Sequence, residues 1–414
     1  MPFSQLPSPS TKRIAIRISA PAERALRQGH PWVFDQSITA QSHAGAPGDL
    51  AVIFDDKRRF LAVGLYDPTS AIRVRILQSR QPATIDTGWF LKKLLAANLL
   101  RKPLTDPTES VTDGYRVAHG ENDGLPGLVL DRYAETLVLK IYTPAWIPHL
   151  KEFCAALLLS NPAQHLILRL SRSLMLQTEF LYGLTDGATL AGHPPEGVLL
   201  FRENGLTFEC DPVYGQKTGF FLDQRENRAR VERLSQGKNV LNVFAYTGGF
   251  SVYAARGGAK QVTSVDISAP ALQAALNNFG HNQHIASVKA AVHETLAEDA
   301  FDALARMATQ KRLFDLVILD PPMFAQSRDQ VAAGLAAYCK LTKLGLGVLR
   351  AGGTLVQASC SSRIDAESFF DGIHRAAGES KRRLTEVERS GHGIDHPIGF
   401  DEGAYLKCLF ATAS

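Results

Sequence analysis

Five apolar segments in the C-terminal half of the chain alternate with helical stretches, and this alternation constrains the fold more than any other feature. The segments read VLNVF, VTSVDI, SVKAAV, FDLVILD and TLVQASC. Strands that alternate with helices form right-handed crossovers and hence a parallel, doubly wound sheet. Ligands of such a sheet bind beyond the carboxyl ends of its strands. The pattern therefore predicts an α/β, Rossmann-like domain with a binding site at those strand ends.

The loop after the first of these strands predicts a nucleoside cofactor without a phosphate. It reads NVFAYTGGFSVYAA, with paired glycines but without the GxGxxG pattern that lets a backbone approach a diphosphate. S-adenosylmethionine has no phosphate and requires only close backbone approach to its methionine portion. Asp266 ends the next strand, where its carboxylate is placed to accept hydrogen bonds from ribose hydroxyls. Asp299 follows the third strand and is placed to contact the adenine amine.

Together with an Asp-Pro-Pro motif after the fourth strand, these features predict a class I methyltransferase that uses S-adenosylmethionine. The missing diphosphate pattern argues against a nicotinamide oxidoreductase. The predicted cofactor-binding residues are Asn242, Phe244, Tyr246, Thr247, Gly248 and Gly249 in the loop and Asp266, Asp299 and Asp320 at the later strand ends.

The Asp-Pro-Pro motif at Asp320 is compatible with two kinds of methyl transfer. In amino-group methyltransferases an Asp or Asn precedes Pro-Pro and an aromatic residue, and it orients the exocyclic nitrogen. Here Phe324 stands one position later, behind Met323. In a carbon methyltransferase the same aspartate hydrogen-bonds the ring nitrogen of cytosine and stabilises the charge that develops there. The motif leaves both reactions open and predicts that Pro321, Pro322 and Phe324 border the substrate.

Cys360 favours the carbon reaction because it lies one predicted strand after Asp320, at the same edge of the sheet. Carbon 5 of cytosine is a poor nucleophile until a thiolate adds to carbon 6. A free thiol has a pKa of about 8.5 and is mostly protonated at neutral pH, so the site must favour the thiolate through dipoles or through positive groups such as Arg363. We also predict that Arg363 borders the substrate. The other cysteines lie in apolar patterns and are interpreted as packing residues: Cys154, Cys210, Cys339 and Cys408.

The N-terminal part of the chain alternates short β patterns with Gly and Pro turns, which predicts a small β-rich domain. Between Lys12 and Arg80, eleven basic residues stand against six acidic ones, so this part carries +5 of a chain whose net charge is +4. A basic module on a near-neutral body suggests contact with phosphates, although so modest a charge also suits an ordinary solvated surface. We predict a flexible tail at 1–11, an RNA-binding domain at 12–80, a central α+β domain at 81–195 and the methyltransferase domain at 196–414.

Composition and cysteine use restrict the class of protein further. The chain of 414 residues is 45% hydrophobic and 21% charged, which is typical of globular rather than disordered chains. No apolar run approaches a membrane span, and the start has no apolar signal core. Five cysteines without CxxC spacing argue against a zinc site and against a disulfide framework. We therefore expect a cytoplasmic protein that uses neither a membrane nor a metal. The oligomeric state, a homodimer included, stays open.

The ordered set of motifs resembles the large-subunit rRNA cytosine-5 methyltransferase family over nearly the whole chain after Thr11. The motifs are HGENDGLPGLVLDRY, VYGQKTGFFLDQRENR, VLNVFAYTGGFSVYAA, FDLVILDPPMF, SCSS and DHPIGFDEGAYLK. The resemblance implies an N-terminal PUA domain that binds structured RNA mainly through phosphate and shape contacts, a central α+β domain and a C-terminal Rossmann-like methyltransferase. It also implies that Cys360 is the nucleophile, that Asp320 holds the cytosine, and that Gln224 borders the cofactor.

The chain departs from that family pattern in two ways. The residue after Asp-Pro-Pro is usually basic there, and Met323 cannot contact a phosphate electrostatically. Other cytosine-5 RNA methyltransferases have a second cysteine after that Pro, which this chain lacks, so the base that takes the carbon 5 proton is unidentified. His396 and Lys407 belong to the matching motifs, but a surface turn and a snorkelling edge lysine explain them adequately.

Two rival functions stay open at this point. One is an RNA methyltransferase that acts on guanine, or on another amino or ring nitrogen, through Asp320 without covalent catalysis. The other is a non-catalytic RNA-binding or assembly protein with a degenerate Rossmann domain. The intact cofactor loop and Asp266 argue against the second rival.

Overall fold

The computed structural model describes residues 2–106 and 111–414, which form two compact units. The first unit runs from the N-terminus to Asn204 and includes two later segments, Cys210–Leu222 and Ile394–Gly403. The second unit contains Gly205–Glu209, Asp223–Gly393 and Ala404–Ser414. The units are therefore not simple consecutive pieces of the chain. Within the described residues, no helix is both long and apolar enough to cross a membrane.

The first sheet of the first unit has six strands in the order β2-β6-β5-β4-β1-β3. β1 and β4 are parallel, and the other neighbouring pairs are antiparallel. Alternate residues of β1 point into a core of Ile, Val and Leu side chains, as a half-buried strand requires. The elements are β1 (Ile14–Ile18), α1 (Ala20–Arg27), β2 (Trp32–Phe34), β3 (Ile38–Gln41), β4 (Leu50–Phe54), β5 (Phe60–Tyr66) and β6 (Ile72–Ser79).

The second sheet of the first unit has five strands in the order β11-β10-β9-β8-β7. Its core contains Phe90, Trp146 and Phe153, whose rings pack edge to face or tilted at 5.4–5.8 Å between centroids. The elements are α2 (Thr87–Thr105), β7 (Gly114–His119), β8 (Leu128–Tyr133), β9 (Thr136–Ile141), α3 (Leu150–Ser160), β10 (His165–Leu170), α4 (Arg172–Met175), β11 (Thr189–Ala191) and β12 (Leu199–Glu203), which does not belong to this five-stranded sheet.

The second unit contains a seven-stranded sheet in the order β16-β15-β14-β17-β18-β20-β19. Its first five strands are parallel, and β20 is antiparallel to both of its neighbours. The elements are β13 (Leu206–Cys210), α5 (Arg225–Leu234), β14 (Asn239–Val243), α6 (Gly249–Arg256), β15 (Gln261–Asp266), α7 (Ala269–His281), α8 (Ala286–Ala290), β16 (Val292–Ala297), α9 (Ala300–Thr309), β17 (Phe314–Leu319), α10 (Val331–Gly347), β18 (Leu349–Ser359), α11 (Ala366–Glu379), β19 (Leu384–Ser390) and β20 (Lys407–Ala413).

This sheet confirms the predicted doubly wound α/β fold and locates its switch point. β14 is the first parallel strand, and the next strands in sequence, β15 and β16, lie on one side of it. β17 and β18 lie on the other side, so the strand order reverses between β14 and β17. Ligands of open α/β sheets bind outside the carboxyl ends of the strands at such a reversal. The fold therefore places a site beside the ends of these two strands.

The predicted third strand, SVKAAV, was misplaced. Most of that segment belongs to the short helix α8, where Val288 is buried, and the strand begins only at Val292. β16 is an edge strand whose side chains make polar contacts: His293 bonds to Ser264, and Glu294 bonds to Arg312. An edge strand that is stabilised in this way needs no apolar run, and for this reason the hydrophobic pattern selected the wrong residues.

Candidate active site

The loop after β14 turns sharply at the switch point. Phe244 and Tyr246 have φ values of +62° and +47°, which are rare for residues with a side chain. Two hydrogen bonds to the neighbouring strand hold this turn: the Ala245 N–H donates to the Val265 carbonyl at 2.9 Å, and the Tyr246 N–H donates to Asp266 Oδ2 at 2.8 Å. Residues with a side chain are strained at positive φ, and surrounding contacts must offset that strain. Such residues are often found at binding sites.

Gly248 lets this loop pass close to helix α7. Its φ is +75°, and a Cβ at this position would lie 2.7 Å from the Cβ of Ala275. Gly249 then begins α6, so the helix N-terminus points toward the loop. The backbone at Gly248 therefore approaches α7 closely, as only a glycine permits here.

Two buried polar atoms beside this loop fit a bound cofactor. Among the described residues, Thr247 Oγ1 and Asn242 Oδ1 have no hydrogen-bond partner. Buried polar atoms are normally paired, so an unpaired amide oxygen near the end of β14 and an unpaired hydroxyl in the loop that follows suit a bound ligand. Both residues belong to the predicted cofactor set, and S-adenosylmethionine offers an amine, a carboxylate and hydroxyls as partners.

The two acidic residues predicted for the nucleoside portion occupy different environments. Asp266, at the end of β15, is half-buried and accepts backbone hydrogen bonds from Tyr246 and, at 2.9 Å, from Ser268. A carboxylate has about four lone-pair positions, so this one retains acceptor capacity for ribose hydroxyls. Asp299 is exposed and caps α9, where its Oδ1 accepts from Phe301 N at 2.8 Å. Its predicted contact with adenine stays a prediction.

A buried hydrogen-bonded chain that the sequence did not reveal holds Asn242. Its Nδ2 donates to Ser251 Oγ at 2.9 Å, Ser251 and Ser264 share a bond of 2.7 Å, and Ser264 contacts His293 Nε2 at 2.9 Å. The His293 ring stacks on Phe279 at 3.7 Å between centroids, and burial lowers the pKa of His293 to about 4. The histidine is thus neutral near pH 7. Because the Asn242 Nδ2 atom is held by Ser251, its Oδ1 atom points away from this hydrogen-bonded chain.

Asp320 and Cys360 follow neighbouring parallel strands, as predicted. β17 pairs with β18 in a register that sets Leu319 opposite Gln357, so Asp320 stands beside the last residues of β18 and Cys360 directly follows that strand. Cys360 is half-buried. A carboxyl group and a thiol therefore lie at the same edge of the sheet, next to the switch point.

A chain of amides fixes the Asp320 carboxyl group. Gln224 Nε2 donates to Asp320 Oδ1 at 2.9 Å, Asn227 Nδ2 donates to Gln224 Oε1 at 2.6 Å, and Ser390 Oγ donates to Asn227 Oδ1 at 2.5 Å. Gln224 is only 3% exposed. The structure thus gives Gln224, predicted at the cofactor, a direct contact with Asp320. Nothing in the sequence pointed to Asn227 or Ser390.

Three of the residues predicted to border the substrate follow Asp320 in the chain. Pro321 is buried and Pro322 exposed, while Phe324 packs on Tyr338 at 4.8 Å between ring centroids. Ser361 Oγ donates to the Ala325 carbonyl at 3.0 Å, which joins the segment after Cys360 to the segment after Asp-Pro-Pro. Burial first, and then the negative charges of Cys360 and Asp320, raise the pKa of Tyr338 to about 12.

Lys407 is not the snorkelling edge lysine that the sequence suggested. It is 5% exposed, and its ammonium donates to the carbonyls of Ser361, Ile364 and Tyr405 at 2.5, 2.6 and 3.2 Å. Arg363, which we had predicted to favour the thiolate, is exposed instead. The buried positive charge near Cys360 is therefore the lysine that ends a distant motif, which sequence spacing could not reveal.

The surface-turn explanation of His396 is also wrong. In the first unit His396 is 1% exposed, bonds to Asp395 at 2.9 Å and packs on His119 at 5.0 Å between ring centroids. Among the other cysteines, Cys154, Cys210 and Cys408 are buried as predicted, and half-buried Cys339 donates to the Gly372 carbonyl at 3.3 Å. Within the described ranges, no three His, Cys, Asp or Glu side chains are grouped in a way that would hold a metal ion.

The six-stranded sheet of the first unit carries a separate pocket of about 440 Å³. It is lined by Arg17 and Arg58, both exposed, and by Gln41 and Phe54, both half-buried, together with neighbouring residues of β1 and β3. Two guanidinium groups beside an aromatic ring and an amide form a surface suited to nucleic acid, since they offer phosphate contacts and a stacking partner.

Comparisons with known proteins agree with both units. A family model for S-adenosylmethionine-dependent methyltransferases matches residues 149–410, and a model for PUA-like domains matches residues 16–79. The chain is 46% identical to a ribosomal RNA large subunit methyltransferase of Deinococcus radiodurans over 98% of each chain. It is 34% identical to ribosomal RNA large subunit methyltransferase I of Pseudoalteromonas translucida, over 95% of this chain and 98% of the relative.

Solved structures share the fold. A protein from Streptococcus mutans assigned as a SAM-dependent methyltransferase superposes with a TM-score of 0.80 at 23% identity, covering 96% of this chain and 99% of that one. A second solved chain, assigned as a methyltransferase and bound to SAH, has a TM-score of 0.80 at 23% identity and covers 97% and 99%.

Proposed function

Since the chain belongs to the S-adenosylmethionine-dependent methyltransferase family, we propose that it forms 5-methylcytosine in large-subunit rRNA through a Cys360 thiolate. Relatives at 46% and 34% identity carry the name of large-subunit rRNA methyltransferases, and their alignment covers nearly the full length of this chain. The single observation that supports the carbon 5 reaction is the placement of Cys360 and Asp320 at the ends of the paired strands β17 and β18.

The chemistry assigns a separate task to each of these two groups. S-adenosylmethionine supplies a methyl group on a sulfonium, which is electrophilic. The Cys360 thiolate forms a bond to carbon 6, which moves electron density to carbon 5 and makes that carbon nucleophilic. Carbon 5 then takes the methyl group, its proton leaves to solvent, and the carbon 6–sulfur bond breaks to restore the ring and the free thiolate. The thiol is regenerated, so the step is catalytic.

Asp320 is the partner of the cytosine ring nitrogen. That nitrogen gains negative charge while the thiolate adds to carbon 6, and a proton shared with the carboxyl group stabilises it. Because Gln224 donates to Oδ1, the plane of the carboxyl group is fixed before the base arrives. A preorganised group of this kind pays no reorganisation energy during the reaction.

We propose that the first unit supplies RNA binding. The predicted PUA domain at 12–80 contains the pocket lined by Arg17 and Arg58, and the central domain at 81–195 connects it to the methyltransferase domain at 196–414. Phosphate contacts give affinity that falls with salt, and contacts of this kind suit a structured rRNA. An rRNA substrate in turn implies a role in the cytoplasm.

Covalent trapping tests the thiol mechanism. An rRNA fragment that contains 5-fluorocytidine at the target cannot release a carbon 5 proton, so it should remain bonded to the wild-type protein in the presence of S-adenosylmethionine. We expect Cys360→Ala to lose this complex, while Cys339→Ala, which removes another half-buried thiol of the second unit, retains it. If Cys360→Ala transfers methyl groups at the wild-type rate, the carbon 5 mechanism is wrong and nitrogen methylation takes its place.

Mass spectrometry of rRNA tests the substrate. We expect large-subunit rRNA from cells without this protein to lack one methyl group, on a cytosine. A missing methyl on guanine would retain the rRNA assignment and remove the carbon 5 assignment. An unchanged modification map would remove the rRNA assignment altogether.

A further inference from the structure

Lys407 is a buried charge that the proposed reaction does not yet use. It lies on β20, opposite Ser359 in the antiparallel pairing with β18. A charged group is expensive to bury unless it is well hydrogen-bonded. The ammonium meets this requirement through three backbone carbonyls, those of Ser361, Ile364 and Tyr405.

These hydrogen bonds require the charged form of the lysine. An ammonium carries three N–H donors, and all three are directed at carbonyls. A neutral amine has only two, so deprotonation would leave one buried carbonyl without this donor. Because Ser361 and Ile364 bracket the segment that follows Cys360, the three bonds tie that segment to the edge of the sheet.

We propose that Lys407 is a positioning residue for Cys360: it anchors the segment 360–364, and its buried positive charge stabilises the thiolate. The use of that thiolate in methyl transfer rests on the proposed function, whereas the effect on the thiol itself does not. A buried charge acts through a lower effective dielectric than an exposed one, so Lys407 should influence the sulfur more than exposed Arg363 does.

The other charged groups around this pair act in both directions. On the Lys407 side, burial lowers the pKa of Lys407 to about 8, while the negative charges of Cys360 and of Asp365 at the start of α11 oppose that shift. On the Cys360 side, Asp320 at the end of β17 is a like charge that disfavours a thiolate. Lys407 therefore offsets the effect of Asp320 on the thiol.

Two further titratable groups in this region stay neutral near pH 7. Tyr338 on α10 has a pKa raised to about 12 by burial, and burial also raises the pKa of Cys408, next to Lys407 on β20. Lys407 is a buried positive group that contacts the segment after Cys360, and the negative charges of Cys360 and Asp365 act on it in turn.

Alkylation of Cys360 tests the proposal without RNA or cofactor. Iodoacetamide reacts with the thiolate, so its rate against pH reports the ionisation of the thiol. Trypsin releases Cys360 in the fragment 351–363, which contains no other cysteine, so mass spectrometry follows this thiol alone. We expect Lys407→Met to raise the midpoint of the profile by about one pH unit and to slow alkylation near pH 7 by about tenfold.

Three comparison variants separate charge from folding. Lys407→Gln keeps hydrogen-bond donors but loses the charge and should shift the profile as Lys407→Met does; it decides the question if Lys407→Met does not fold. Lys407→Arg keeps the charge and should stay close to wild type. Lys289→Met, which removes an exposed lysine of the same unit, should leave the profile unchanged. An unshifted profile in folded Lys407→Gln overturns the proposal.

Activity measurements separate this proposal from the proposed function. We expect folded Lys407→Gln to lower kcat near pH 7 by about tenfold, to recover toward wild type at pH 9, and to leave KM for S-adenosylmethionine unchanged. If the wild-type protein forms no 5-methylcytosine but the alkylation profile still shifts, the proposed function fails while the role of Lys407 stands. If the wild type forms 5-methylcytosine and the alkylation profile of folded Lys407→Gln does not shift, the proposed function stands and the role of Lys407 fails.

Discussion

Buried cations in the two units have different partners. In the first unit two buried arginines are matched by carboxylates: Arg101 binds Asp123 through two hydrogen bonds of 2.7 and 2.6 Å, and Arg116 binds Asp131 at 2.8 and 3.0 Å. In the second unit, burial lowers the pKa of Lys407 to about 8. Matched burial is typical of structural support, and perturbed ionisation in a cleft is typical of a functional site.

Buried side-chain atoms without a partner among the described residues occur in both units: at His149 and His396 in the first, and beside the turn after β14 in the second. Thr247 and Asn242 in the second unit each bury an oxygen that has no partner among the described residues. Buried polar atoms that lack partners reduce stability, so their retention near the end of β14 and in the loop after it is expected where a ligand supplies the partner. If this comparison is right, substitutions in the first unit should act on stability and those in the second on activity or binding.

The largest effect is expected from Arg101→Met in the first unit. It leaves the buried Asp123 carboxylate without its partner and also removes donors to the carbonyls of Arg116 and Asp395. We expect a loss of about 3–5 kcal/mol in the free energy of unfolding. All three tryptophans, Trp32, Trp89 and Trp146, lie in this unit, so tryptophan fluorescence during urea unfolding reports on it selectively.

The double variant Arg101→Met/Asp123→Asn is the control for that measurement. Removal of the stranded charge should return part of the lost stability, because the penalty comes from an unpaired carboxylate. Equal stability of the single variant and the wild type would break the comparison, since it would mean that the matched charges do not support the fold.

A somewhat smaller effect, on rate instead of stability, is expected from Asp320→Asn. Asparagine keeps the oxygen that accepts from Gln224, so the amide chain to Asn227 should survive. The carboxyl group that shares a proton with the ring nitrogen is lost, and we expect the rate at saturating RNA and cofactor to fall about a hundredfold. The midpoint of thermal unfolding should stay near that of the wild type. A large drop in that midpoint with little loss of rate would assign Asp320 to the fold.

The sequence predicted the parts of the site that depend on local order along the chain. Asp320 and Cys360 each follow an apolar strand, and parallel pairing brings the ends of neighbouring strands together whatever the rest of the molecule does. The position of the turn after β14 was predictable for the same reason. It follows the first strand, and Gly248 is required by its positive φ and its approach to α7.

The sequence could not predict groups whose environment depends on distant segments. Lys407 is buried because β20 returns antiparallel beside β18, a pairing between residues 48 positions apart at Ser359 and Lys407. Burial of His396 likewise depends on packing against His119, far away in the sequence. His293 was missed because polar side-chain bonds, and not an apolar run, hold its edge strand in place.

The pH dependence of stability sharpens the comparison further. Burial lowers the pKa of His293 to about 4 from an ordinary value of 6.5, so between these two values the unfolded chain binds a proton that the folded chain does not. Stability therefore falls as the pH falls through this window, by roughly 2 kcal/mol from pH 6.5 to pH 4.5. Urea unfolding followed by circular dichroism at both pH values measures the loss.

His293→Gln is the matched variant for this effect. Glutamine has no proton to gain in that range, and its amide can still contact Ser264. The difference between the two pH values should therefore shrink by about the amount assigned to the histidine, while acidic groups elsewhere contribute equally to both proteins. An unchanged difference would mean that the ring is accessible to water and that the buried chain to Asn242 opens readily.

The smallest effect is expected from Thr247→Val, which replaces a buried hydroxyl by a methyl group of the same shape. Because Thr247 Oγ1 has no partner among the described residues, its removal should leave the free energy of unfolding unchanged or slightly higher. If a bound cofactor is the missing partner, its affinity should fall about fivefold, or about 1 kcal/mol, by calorimetry with S-adenosylmethionine. Thr342→Val supplies the contrast, since the Thr342 hydroxyl contacts Tyr338 O at 2.8 Å and Gln357 Oε1 at 2.9 Å. Thr342→Val should lose stability and keep its affinity for S-adenosylmethionine. If Thr247→Val instead loses stability and keeps its affinity, the buried Thr247 hydroxyl has no connection to the cofactor.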